Sequence, residues 1–192
     1  FGKERLENLN KLIPAEAKIL ITYGGGSVKK YGVLDQVKAN LGNRQVIEFG
    51  GIEPNPRYET LMKAAEVVRS ENIGFILAVG GGSVIDGTKF ICLASHYKGD
   101  TTDLLKMGFS RITSETVEKV VPFGTILTLP ATGSEMNNGA VISYGHGKFP
   151  VMSDLTYPQF SILDPTYTYT LPKIQVANGI VDAFAHTLEQ YL

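Results

Sequence analysis

Asp182 and His186 stand four residues apart in the run Asn178-Gly179-Ile180-Val181-Asp182-Ala183-Phe184-Ala185-His186. On a helix that spacing puts both side chains on one face, one turn apart. A carboxylate and an imidazole so placed are a ready pair of ligands for a divalent metal. The same spacing also suits an Asp–His hydrogen bond or two solvated side chains, and it does not choose among the three. Gly179, just upstream, leaves room for another backbone to come close. A catalytic metal usually keeps about three protein ligands and one open position. None of the residues from Thr187 to Leu192 is a His, Cys or Asp. His96 and His146 fall in expected loops, where a solvated role is the simpler reading. The chain is therefore expected to carry half of a metal site.

A second chemistry is written in glycine. Ile76-Leu77-Ala78-Val79 runs straight into Gly80-Gly81-Gly82-Ser83, followed by an amphipathic segment through Ala94. Four apolar residues in a row suit a strand buried on both faces of a parallel sheet. The glycines let the backbone turn sharply and approach a ligand, and Ser83 is expected to cap the helix that follows. Free amides at that helix start, with the helix dipole, make a site for an anion such as a pyrophosphate. A ligand-free strand-to-helix turn is the plainer alternative, though one glycine would serve for it. Gly24-Gly25-Gly26-Ser27 repeats the punctuation after Lys18–Tyr23 and is the chain's one internal echo. Thr128, Thr132 and Ser134 offer hydroxyls at another strand end, suited to phosphate or ribose, or to the turn's own backbone.

The elements that must position these residues follow from periodicity. Strands are expected at 18–23, 45–49, 73–79, 125–129 and 160–164, and helices at 2–13, 28–41, 57–71 and 173–192. Leu61, Ala64, Ala65 and Val68 form the inward stripe of the third of these helices. Pro54 and Pro56 make 50–56 a loop. Residues 96–118 are a polar connection, with a helix start near Asp100-Thr101-Thr102-Asp103. Residues 140–144 and 149–152 read as a hairpin around Gly145-His146-Gly147. The βαβαβα order implies an α/β fold with a doubly wound parallel sheet and ligand sites at the carboxyl ends of its strands.

Bulk properties narrow the classes. In 192 residues, 43% apolar, the chain can hold one good-sized core and part of a second domain. A net charge of -1 gives no reason to expect nucleic acid or an acidic membrane as a partner. The one cysteine, Cys92, lies on an apolar helix face and is expected to be a buried structural thiol. No apolar run approaches the ~20 residues of a membrane span, and Phe1-Gly2-Lys3-Glu4-Arg5 is unlike a signal peptide. A cytoplasmic location is the expectation.

Taken together, the motifs resemble the iron-containing alcohol dehydrogenases, and within them the NADPH-dependent butanol dehydrogenase or aldehyde reductase branch. The resemblance rests on Tyr23-Gly24-Gly25-Gly26-Ser27-Val28-Lys29-Lys30, Gly50-Gly51-Ile52-Glu53-Pro54-Asn55-Pro56 and Gly80-Gly81-Gly82-Ser83-Val84-Ile85-Asp86. It continues through Leu129-Pro130-Ala131-Thr132-Gly133-Ser134-Glu135, Asp164-Pro165, Leu171-Pro172 and Asp182-Ala183-Phe184-Ala185-His186. Each motif is weak by itself; their order and spacing over essentially the whole chain are specific. The resemblance implies a Rossmann-like, dehydroquinate synthase-like dinucleotide-binding domain over 1–170. It also implies that 171–192 is the first helix of a truncated, all-helical metal-binding domain. An initial strand before Phe1 and later helices bearing two more histidines would lie outside this chain. An end at Tyr191-Leu192 inside a helix, with no cap, favours a cut chain.

By the same resemblance, Gly81, Gly82 and Ser83 would hold the pyrophosphate of NADP(H), and Asp86 would face the dinucleotide. Thr128, Leu129, Thr132 and Lys148 would line the cofactor, with Gly25, Gly26, Ser27, Lys29 and Lys30 around the adenosine ribose. A serine and two lysines with no acid in that turn favour a 2′-phosphate, against which Glu48 and Glu53 must be weighed. Asp182 and His186 would be the first two ligands of an iron or zinc ion, a Lewis acid on a small alcohol or aldehyde during hydride transfer. The isolated chain is expected to bind metal poorly and to turn over little or nothing. Family members commonly self-associate, which makes a homodimer the expected assembly. The alternatives are a lyase of the dehydroquinate synthase type, disfavoured because no basic cluster adjoins Asp182, and a nucleotide-binding module without chemistry.

Overall fold

The computed structural model describes residues 1–192. In chain order it contains α1 (Leu9–Leu12), β1 (Ile19–Tyr23), α2 (Ser27–Lys30), α3 (Val33–Ala39), β2 (Val46–Phe49) and α4 (Tyr58–Ser70). Then come β3 (Phe75–Gly81), α5 (Gly82–Ala94), α6 (Thr102–Lys106), β4 (Phe123–Leu129), β5 (Gly139–Tyr144), β6 (Gly147–Met152), β7 (Ser161–Ile162) and α7 (Lys173–Leu188). Five strands form one parallel sheet in the order β2-β1-β3-β4-β7, and β5 and β6 form a separate antiparallel hairpin. The fold is the α/β class expected, and its strand order reverses between β1 and β3. Doubly wound sheets place ligands in the crevice at that reversal.

Alternation along the strands sorts the core into two layers. Ile19, Ile21 and Tyr23 of β1 face Leu9, Val33, Leu34 and Val37, with Val28 of α2 beside them. Leu20 of β1, with Ile76 and Ala78 of β3, faces Leu61, Ala64, Ala65 and Val68 of α4 and the apolar residues of α5. The α4 stripe is as the sequence predicts, because i, i+3, i+4 and i+7 share one helix face. Cys92 is wholly buried in the second layer, and burial pushes its thiol well above the ordinary range.

Several boundaries differ from expectation, each for a local reason. The helix expected over 28–41 is broken into α2 and α3 at Gly32, whose φ of 73° belongs to the left-handed region. The expected helix over 2–13 is a 3-10 turn at Arg5–Asn8 leading into four residues of α-helix. β3 runs on through Gly81, so α5 begins at Gly82 with Gly81 as its N-cap and no side-chain cap. Ser83 therefore lies inside the first turn, and its Oγ accepts a hydrogen bond from the Asn55 N–H at 3.3 Å. The last strand keeps only Ser161 and Ile162 in the ladder. The expected helix start near Asp100 is present, with Asp100 Oδ1 accepting from Thr102 N and Oγ1 at 2.9 Å each. No helix is long and apolar enough to cross a membrane.

Candidate dinucleotide cleft and partial metal centre

The turns after β1 and β3 open into the same cleft, of about 390 Å3. Gly24, Gly25 and Ser27 line it from the first turn, and Gly80, Gly81, Gly82 and Ser83 from the second. Thr128 and Leu129, at the end of β4, complete that rim. A further wall comes from Tyr167, Thr170, Leu171, Pro172 and Gln175, of which the motifs single out Leu171-Pro172 alone. The size is that of an ordinary small-molecule or cofactor site.

Close approach is what the glycines of the second turn provide. A Cβ on Gly80 would fall 2.8 Å from Val84 Cβ, and one on Gly82 would fall 3.0 Å from Thr132 Cγ2. Both gaps are below van der Waals contact, so a side chain at either position would displace its neighbour. The bare backbone presents the first-turn amides of α5, which an α-helix leaves without intrahelical acceptors, to the cleft. That combination fits a phosphate group.

The other expected cofactor residues are placed as follows. Gly26 is the N-cap of α2, with φ 107°. Thr132 covers Gly82 and shares a 2.8 Å hydrogen bond with Ser134 Oγ. Lys148, on β6, reaches across to donate to Asn55 Oδ1 at 2.7 Å, so the hairpin is tied to the loop that also contacts Ser83. Lys30 lies over the Tyr31 ring, and Lys29 over the Tyr23 ring at 5.0 Å from its centroid. Lys29 Nζ is also 3.1 Å from Glu48 Oε2, and Lys38 Nζ is 2.9 Å from Glu48 Oε1. The Lys38 hydrogen bond, with that from Lys29, holds the Glu48 carboxyl below the usual range despite partial desolvation.

Asp86 is not part of the cleft lining. It turns toward the hairpin, where Oδ2 accepts from the Val141 N–H at 2.9 Å and Oδ1 is buried without a partner. Desolvation pushes its carboxyl upward, against the Val141 hydrogen bond, the nearby Ser134 hydroxyl and the charge of Lys89. Lys89, one turn along α5, is 1% exposed and donates to Asn137 Oδ1 at 2.8 Å and to the Gly139 carbonyl at 2.7 Å. Burial lowers its pKa to about 8. Sequence reasoning missed Lys89, because a lysine in an amphipathic run reads as solvated.

Helix α7 starts at the cleft mouth and passes the end of β4. A Cβ on Gly179 would come within 3.0 Å of the Pro130 carbonyl oxygen, so the helix sits as close as glycine allows. Asp182 Oδ2 and His186 Nε2 face each other at 3.7 Å, both substantially exposed. That is too long for a hydrogen bond, and near the roughly 3.4 Å between two donors of a tetrahedral metal with ordinary bond lengths. The pair fits part of a metal site, and no group of three or more His, Cys, Asp and Glu side chains is assembled anywhere in the chain. His96 adjoins the end of α5, its Nδ1 3.1 Å from Ser95 Oγ, and His146 is exposed in the hairpin turn.

Residues 1–165 match the family model described as iron-containing alcohol dehydrogenase. The chain belongs to this family. It is 56% identical over its whole length to an Escherichia coli K12 protein named NADPH-dependent aldehyde reductase YqhD, of which it covers 49%. It is 45% identical, again over its whole length, to 49% of a Bacillus subtilis protein named probable NADH-dependent butanol dehydrogenase 1. Among solved structures, that of E. coli YqhD superposes with a TM-score of 0.93 at 55% identity, over 99% of this chain and 48% of that one. NADH-dependent butanol dehydrogenase A from Thermotoga maritima gives 0.89 at 38% identity, over 98% and 48%. The chain thus spans about half the length of the relatives it matches.

Proposed function

We propose that this chain is the cofactor-binding portion of a metal-dependent oxidoreductase that moves a hydride between NADP(H) and a small alcohol or aldehyde. One observation carries the reading: the two glycine-serine turns follow neighbouring strands and meet in one cleft at the reversal of strand order. The first-turn amides of α5, with Gly81 and Gly82, receive the pyrophosphate. Gly25, Gly26 and Ser27, with Lys29 and Lys30, surround the adenosine ribose, and Thr128, Leu129 and Thr132 extend the contact toward the nicotinamide. Lys148 and Asp86 act one step back, Lys148 through Asn55 and Asp86 by fixing the hairpin beside the Thr132 turn. Relatives are named for either NADPH or NADH, so the preference for the phosphorylated form rests on the residues around Ser27.

Asp182 and His186 would hold one side of the metal, on a helix that belongs to a second, helical domain beginning at residue 171. In support, α7 buries none of its residues, and Ile174, Ile180, Val181 and Phe184 are each about two-thirds exposed. A bound divalent metal supplies Lewis-acid polarisation of the substrate oxygen, and the dinucleotide supplies the hydride. In this reading the chain binds and orients the dinucleotide and carries two metal ligands on α7, beyond the Pro172 and Gln175 stretch that lines the cleft. The protein would act in the cytoplasm, as a homodimer. Titration of the chain with NADPH, followed by nicotinamide fluorescence, tests the reading. Saturable binding is expected, with no turnover of butanal; absence of binding, or turnover by this chain alone, would overturn it.

A further inference from the structure

We propose that Lys38 is a specificity-determining residue for the dinucleotide, acting through Glu48 without lining the cleft. Glu48 lies near the carboxyl end of β2, paired in register with Ile21 of β1. Doubly wound dinucleotide folds use an acid in this region to accept a hydrogen bond from the ribose 2′-OH, and such an acid repels a 2′-phosphate. Here neither carboxylate oxygen is free. Lys38 Nζ donates to Oε1 at 2.9 Å, Lys29 Nζ sits 3.1 Å from Oε2, and the Tyr23 hydroxyl donates to Oε2 at 3.4 Å.

The arrangement does two things. It occupies the oxygen that would otherwise receive a ribose hydroxyl, and it sets two positive charges against one negative charge beside the Ser27 turn. Asp35 is also 3.6 Å from Lys38, but it is largely exposed and water screens it. Lys29, half exposed, is held at the edge of the turn by Glu48 and the Tyr23 face, and can serve a 2′-phosphate from there. Removing Lys38 frees Oε1 and leaves Glu48 with one lysine, which favours the unphosphorylated ribose.

This inference rests on the dinucleotide reading of the cleft, and the test separates the two. Dissociation constants for NADPH and NADH are measured for wild type, K38Q, E48Q and K38Q/E48Q. The preference for NADPH over NADH is expected to fall about tenfold in K38Q, the effect of one charge-assisted hydrogen bond. In K38Q/E48Q the preference is expected to return close to that of E48Q, because Lys38 works through Glu48; a general loss of structure would not be rescued in this way. If NADPH binds and K38Q leaves the ratio unchanged, or if K38Q/E48Q falls as far as K38Q, this inference alone is overturned. If the wild-type chain binds neither dinucleotide, the cleft reading fails and takes the inference with it.

Discussion

Thr22 Oγ1 and Thr88 Oγ1 lie 2.7 Å apart, with both residues wholly buried, and their hydrogen bond joins β1 to α5 beneath the cleft. Thr88 Oγ1 also donates to the Val84 carbonyl at 2.8 Å, so the proton between the two hydroxyls comes from Thr22. Substitution is therefore asymmetric. T88V strands a buried donor on Thr22 and is expected to cost about 1–3 kcal/mol, whereas T22V leaves Thr88 satisfied and should cost less than about 1 kcal/mol. Adding T22V to T88V should recover part of the loss, since both polar groups are then gone. Urea denaturation of the three variants checks this, and equal costs for the two single changes would refute the proton assignment.

Lys89 is expected to matter more than any lysine at the surface. K89M leaves Asn137 Oδ1 and the Gly139 carbonyl short of a donor and Asp86 without a nearby positive charge. A loss of about 2–4 kcal/mol at pH 7 is expected from such a broken buried network. The pH dependence has a definite sign. Burial lowers the Lys89 pKa from 10.5 to about 8, so between those values the unfolded chain binds a proton that the folded chain does not. Stability owed to this group therefore rises with pH through that window, by on the order of 3 kcal/mol in all. Wild-type stability minus that of K89M, measured by denaturant from pH 7 to 10.5, should increase with pH; a flat difference would show that Lys89 is not charged and buried at neutral pH.

How much of this could be read in the residues varies with the range of the interaction. The parallel sheet and both glycine turns were legible because apolar runs and glycine clusters act locally. The apolar stripe of α4 and the shared face of Asp182 and His186 follow from helix period alone. The break at Gly32 was not, since periodicity continues across it and only a left-handed φ reveals it. Ser83 is not the cap that its position suggests, because the ladder with β4 pulls Gly81 into β3, a tertiary pairing invisible to cap preferences. The Lys38–Glu48, Lys89–Asn137 and Lys148–Asn55 contacts span 10, 48 and 93 residues, and no local pattern announces them. The wall formed by 167–175 was legible only in part: Leu171-Pro172 stands out as a motif, whereas Tyr167, Thr170 and Gln175 join the cleft only once β4 and α7 are in place.

Asp182 and His186 make a prediction about metal. Two ligands at an exposed site hold a divalent ion weakly, because a stable site takes about three or four. Cobalt titration of this chain, read by visible absorbance and calorimetry, should show weak binding that D182A or H186A abolishes. Tight tetrahedral binding by the chain, or binding that survives H186A, would place the metal elsewhere.

Gly82 offers the sharpest separation of binding from folding. In G82A the new methyl group would crowd Thr132 Cγ2 at 3.0 Å and Cβ at 3.2 Å, so the exposed Thr132 side chain must rotate away from Ser134. Alanine gains up to about 1 kcal/mol of helix propensity over glycine, which offsets much of that cost. Net stability should stay within about 1 kcal/mol of wild type. Binding has no such compensation, because the methyl group and the displaced Thr132 side chain both stand beside the first-turn amides of α5 that the proposed pyrophosphate would contact. NADPH affinity should drop at least about tenfold, the equivalent of one good hydrogen bond to a charged group. G82A/T132A removes the contacts beyond Cβ and leaves the methyl in place, so stability should improve while affinity stays low. Recovery of affinity in the double variant would mean that Thr132, and not the bare backbone at Gly82, makes the contact that counts.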